Sequence, residues 1–252
     1  MRRASCARWS KGLASLACAL AVVAFVCGCS RKSPTIPGLT TQSGWTVEHY
    51  LGVPRSVAGS SSRQMFAVGF RGTILRLDGT SWSSVAGLTS HDLSKVRAVS
   101  PNEFFAVGSG GTAVHYDGVR WRNTATPTSA DLFGVWGSSA AGVFAVGAQG
   151  TILRWDGRSW RTMVSGTTDD LCDIWGSSRD DIYAIGSDST MLHFDGTRWK
   201  HVQAPFTSFA AQIWGSSAHD VYIAAGDGLF HLDGFAWRAM PVGAGGNVRA
   251  VW

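Results

Sequence analysis

Residues 132–160 read LFGVWGSSAAGVFAVGAQGTILRWDGRSW, and each turn signal in that stretch falls between two short apolar runs. Leu132 to Trp136 is one run, Gly137-Ser138-Ser139 a turn, and Val143 to Val146 a second run of strand-forming residues. Gly147 to Gly150 makes a tight loop before Thr151 to Trp155. Asp156-Gly157 then gives a strong two-residue hairpin signal, and Trp160 begins a fourth strand. Four strands joined by tight turns make a small antiparallel sheet with no helix in it.

The phrase recurs along the chain. Trp82, Trp121, Trp160, Trp199 and Trp237 are spaced by 39, 39, 39 and 38 residues, and Trp45 stands 37 before Trp82. Each of the five closes an Asp-Gly-x-x-Trp unit that begins at Asp78, Asp117, Asp156, Asp195 or Asp233. A period near 40 marks propeller blades or another array, and glycine interrupts every stretch long enough to show helical periodicity. Along the third strands one face is apolar throughout, as at Leu153 and Trp155. The other alternates an apolar residue with Arg76, His115, Arg154, His193 or His231. Radially packed blades cover both faces. The repeated Arg/His series reads as structural, bonding a neighbouring blade's backbone or carboxylate. The expected fold is therefore an all-β propeller of four-stranded blades, about 39 residues each. It has five full units and a partial one at 248–252, where the chain is expected to be incomplete.

The N-terminus carries a different signal. Arg2, Arg3, Arg8 and Lys11 precede the apolar run Leu13 to Val26, as in a secretory signal. The formal net charge of +5 belongs largely to this segment: without its four cations, 18 basic residues face 17 acidic ones, so no nucleic-acid partner is expected. Val26-Cys27-Gly28-Cys29 resembles a bacterial lipobox, with Cys29 as the lipidated residue and Cys27 where a small residue usually stands. The organisation expected is a signal peptide with lipobox over 1–29, a flexible Ser/Thr/Pro/Gly tether over 30–44 and the repeat domain over 45–252. Cys6, Cys18, Cys27 and Cys29 lie in the signal or at its end, which leaves Cys172 in the apolar run Leu171 to Trp175 as an expected buried, inert thiol.

Trp175-Gly176-Ser177-Ser178-Arg179-Asp180-Asp181-Ile182-Tyr183-Ala184, followed by Gly-x-x-Gly-Thr and the Asp-Gly-x-x-Trp phrase, resembles the propeller-type repeats of bacterial secreted and surface lipoproteins. It is more loosely similar to WD40, kelch and Asp-box propellers, without the Gly-His dipeptide of the first and with Asp directly before Gly, unlike the last. The resemblance spans 45–252 and implies a propeller at the cell envelope, an outer-membrane lipoprotein facing periplasm or exterior. It also implies that the loops entering each blade share one face with the turns between second and third strands, around the central channel.

No Gly-x-Ser-x-Gly, His-Glu-x-x-His, Walker loop or paired Cys-x-x-Cys is present, which weighs against an enzyme and names neither cofactor nor metal site. A residue that keeps the repeat already has a blade to build, so residues that break it are the candidates for ligand binding: His91, Asp92, Asp169, Asp170, Asp173, Asp188, Phe206 and Phe209. Acidic groups with two aromatics suit protein or carbohydrate, with calcium at the Asp cluster as a variant of that reading. Two function classes stay open. One is a binding or scaffolding module at the envelope, held to the membrane by its lipid. The other is an envelope carbohydrate-active hydrolase or lyase on the same scaffold.

Overall fold

The computed structural model describes residues 54–242 and 248, apart from 62, 63, 80 and 86. The export signal, the lipobox with Cys29 and the tether lie outside the described residues. Among the described residues, twenty strands form five antiparallel four-stranded sheets, each in sequence order. The first blade is β1–β4 (Pro54–Ser61, Gln64–Gly69, Ile74–Asp78, Ser81–Ser84) and the second β5–β8 (Leu93–Ser100, Glu103–Gly108, Ala113–Tyr116, Trp121–Asn123). The third is β9–β12 (Leu132–Gly137, Val143–Gly147, Ile152–Trp155, Trp160–Met163), matching the four runs marked on the sequence. The fourth is β13–β16 (Leu171–Ser178, Asp181–Gly186, Met191–Phe194, Trp199–His201) and the fifth β17–β20 (Ala210–Ser217, Asp220–Ala225, Gly228–Leu232, Trp237–Met240).

The first strands pack in series, β1 on β5, β5 on β9, β9 on β13 and β13 on β17, so they form the inner wall and the fourth strands the rim. Aromatic side chains join one blade to the next. Phe66 meets Tyr116 at 4.8 Å and Trp121 at 5.1 Å. Phe105 meets Trp155 at 5.8 Å and Trp160 at 6.0 Å, and Phe144 meets Phe194 at 5.4 Å and Trp199 at 6.1 Å. The recurring Trp of the fourth strand is therefore a lid on the preceding blade's second strand, which explains why Trp121, Trp160 and Trp199 are buried. The Trp-Gly pair of the first strands has the same origin. A Cβ on Gly176 would come within 2.9 Å of Cη2 of Trp136, and one on Gly215 within 2.7 Å of Cζ2 of Trp175, so each indole needs a glycine in the following blade.

The Asp-Gly hairpins are held by their own aspartates. In the second blade Asp117 Oδ1 accepts the amides of Val119 and Arg120 while Oδ2 takes the Arg122 guanidinium. The same set recurs around Asp156, Asp195 and Asp233. The Arg120 amide above all holds the Asp117 carboxyl down to about 2, and the Arg161 and Lys200 side chains foremost depress Asp156 and Asp195. Carboxylates lowered in the folded state contribute stability that is complete above the ordinary aspartate range and is lost as pH falls through the folded value. The melting temperature should therefore drop between about pH 4 and about pH 2, and less steeply in Asp117→Asn. A melting temperature that stays level across that interval would show that these caps carry no linkage.

The repeated Arg/His column is structural in a different way from the one expected. Its carboxylates come from the same blade: His193 Nε2 lies 2.7 Å from Asp181 and His231 Nε2 2.8 Å from Asp220, each acid opening that blade's second strand. The antiparallel register pairs His193 with Tyr183 and His231 with Tyr222, two residues from the acid and on its face, so the near carboxylate is intrablade. The imidazoles also stack on second-strand rings, His115 on Phe105 at 4.2 Å and His231 on Tyr222 at 4.3 Å.

Candidate binding face

Loops entering a blade meet the preceding blade's turn between second and third strands. The amides of Arg71, Gly110 and Gln149, each at a residue with positive φ, donate to the carboxylates of Asp92, Asp131 and Asp170 at 2.9, 2.8 and 3.0 Å. These aspartates are 39 residues apart and clamp one blade to the next. Asp92 and Asp170 are thus members of a repeated set. The column before them is structural as well: His91 Nδ1 lies 2.9 Å from Thr112 Oγ1, and Asp169 Oδ2 accepts from Thr190 at 2.7 Å and Thr167 at 3.1 Å. Asp188 is exposed at positive φ in the fourth blade's turn. Phe206 is 2% exposed and faces Phe230 in the core, so its ring is not offered to solvent. Phe209 is half-buried beside Gly226, where a Cβ would come within 2.8 Å of its ring. Among the described residues no three His, Cys, Asp or Glu side chains gather as metal ligands.

Asp173 lies elsewhere, on the inner wall, where the first strands share a feature of their own. Every first strand departs from regular register near its start, leaving Arg55, Ser94, Phe133, Cys172 and Ala211 as the extra residues. All five are half-buried. Bulges re-aim a side chain locally and recur next to functional sites. Here the bulge column holds five different residues, and the next column holds another five: Ser56, Lys95, Gly134, Asp173 and Gln212. The column after that is uniform, with Val57, Val96, Val135, Ile174 and Ile213. Aligning the first strands at the 39-residue period exposes this variation directly.

Two of the variable residues brace the wall. Ser56 Oγ accepts the Val96 amide at 3.1 Å, and Asp173 Oδ2 accepts the Ile213 amide at 3.3 Å, each reaching the following blade. Lys95 instead reaches past the third blade to Asp173, its Nζ 3.2 Å from the carboxylate. Gly134 stands between them without a side chain, and a Cβ there would come within 3.1 Å of Asp173 Cα. Near the loops Arg55 pairs with Asp92 at 3.5 Å and lies 3.8 Å over the Phe70 ring. Cys172 is half-buried, less enclosed than the buried thiol expected. As the bulge residue it falls out of the alternation that buries Leu171 and Asp173.

The sequence matches no family model and no curated protein. Solved structures are similar in fold. YCF48 bound to D1 peptide aligns with a TM-score of 0.59 at 15% identity, over 77% of this chain and 69% of that one. YCF48 from Cyanidioschyzon merolae gives 0.55 at 16%, over 71% and 66%. The WD40 propeller domain of Doa1 gives 0.61 at 11%, over 74% and 67%. Five radial four-stranded sheets and these likenesses make the chain an all-β propeller of the broad WD40-like and YCF48-like architecture.

Proposed function

We propose that the chain is an envelope-anchored lipoprotein whose propeller binds a segment of a partner protein along the inner wall of its first strands. The contrast between columns carries this reading. Variable side chains project from bulged strands beside a uniform framework, so a rigid scaffold presents one asymmetric surface at small cost in ordering. A neighbour in fold, YCF48, has been solved with a D1 peptide bound, which favours a peptide over a glycan as the ligand class to test. The anchor rests on Val26-Cys27-Gly28-Cys29 and the apolar run before it. Several acyl chains on Cys29 would hold the protein in the membrane where one would not, and Ser30 suits the outer membrane, on its periplasmic or exterior side.

Intact mass of the mature N-terminus should show acylated Cys29, and an unmodified terminus well beyond it removes the anchor. For binding, a peptide array is probed with the full chain and with a Phe133→Ser, Gln212→Ala variant, two inner-wall changes in different blades. The variant should keep its melting point and lose the wild-type pattern. Identical patterns from two equally folded proteins would move the ligand away from the inner wall.

A further inference from the structure

Among the described residues of the first strands, cations outnumber acids, with Arg55, Lys95 and Arg97 against Asp173. Lys95 and Arg97 lie two residues apart on β5 and so on one face of the strand. Lys95 is matched by Asp173. Arg97 is half-buried, and its guanidinium makes no hydrogen bond or ion pair among the described residues. Asp173 acts on it through space, but that carboxylate is already held by Lys95 and by the Ile213 amide. Of the acids at the blade-entry loops, Asp92 is held by Arg55 and the Arg71 amide, Asp131 by the Gly110 amide and Asp170 by the Gln149 amide. Desolvation lowers the Arg97 pKa, with Asp173 opposing, and a guanidinium so basic keeps its charge.

The framework does not ask for a cation at this position. Ala58, Arg97, Trp136, Trp175 and Trp214 share the column, and Trp136 and Trp175 fill it with buried indoles. Partly desolvated charge without a partner is costly, and a ligand of opposite charge removes the cost. We propose that Arg97 anchors a carboxylate of the bound protein segment, beside the Lys95–Asp173 bridge; the inference rests on the peptide-binding reading above. The planar guanidinium fork suits a carboxylate, which would bring two cations and one anion to balance. Asp173 disfavours an incoming anion least while it stays on Lys95, so the bridge and the anchor act together.

Three fluorescein-labelled decapeptides test this by anisotropy on the full chain in detergent: a Glu-containing amidated peptide, its Gln counterpart amidated, and the Gln counterpart with a free C-terminal carboxylate. At least one carboxylate-bearing peptide should bind roughly tenfold or more tighter than the neutral one, the size of a charge-assisted hydrogen bond, and which one does so identifies the source of the carboxylate. Arg97→Gln should erase that preference with the melting curve held, and Arg97→Lys should keep part of it, which also covers a Gln variant that fails to fold. Equal binding of all three peptides, or a preference that survives Arg97→Gln, overturns the carboxylate anchor and leaves peptide binding standing. Binding of none overturns both.

Discussion

Replacing Trp160 by alanine is expected to destabilise the propeller by about 3–5 kcal/mol, the cost of removing a buried aromatic and leaving a cavity. Trp160 is 4% exposed. Its ring lies edge-on to Phe105 of the second blade and 5.5 Å from Trp155 of its own. Its indole N–H donates to Thr124 Oγ1 at 3.0 Å, again across the blade boundary. The change therefore opens the seam between the second and third blades. For a domain of this size the melting temperature should fall by at least about 6 °C. Trp160→Phe should recover most of that, because it keeps apolar area and loses mainly one hydrogen bond worth about 1 kcal/mol. A wild-type melting curve for Trp160→Ala would show that the repeated Trp contributes nothing to the seam.

Asp173→Ala should cost about 3 kcal/mol, toward the lower end for a broken buried ion pair. Its carboxylate is 3% exposed whereas Lys95 is 27% exposed, so the orphaned ammonium can turn partly to water. What it cannot escape is Arg97 on the same strand face, and the Ile213 amide loses its acceptor too. Joining Lys95→Met to Asp173→Leu should restore much of the loss, since an apolar pair of similar volume avoids desolvating either charge. Thermal melts of Lys95→Met, Asp173→Leu and the double give the coupling between the residues. Unchanged stability in Asp173→Ala would mean that the bridge is not closed in solution.

The loop residues show why part of the site was hard to read. Asp92, Asp131 and Asp170 stand 39 apart, yet each is set among dissimilar neighbours, His91, Ala130 and Asp169, so the repeat is hidden in sequences that look irregular. Only the amides of Arg71, Gly110 and Gln149, turned outward by positive φ, show that these carboxylates clamp blades together. Phe206 looked like a surface aromatic because its flanks are Pro, Thr and Ser. It is buried because the loop returns it to Phe230.

Strand number, hairpin positions and blade period followed from the sequence alone, because each depends on neighbours within one repeat: alternation along a strand, Asp-Gly at a turn, a 39-residue phrase said five times. The inner wall was decided by tertiary structure. Lys95 and Asp173 lie 78 residues apart. They meet because blades turn about one axis, Gly134 leaves the space between them, and a bulge in every first strand shifts the register at which side chains face inward. Such contacts depend on the geometry between repeats, and no local pattern encodes that geometry.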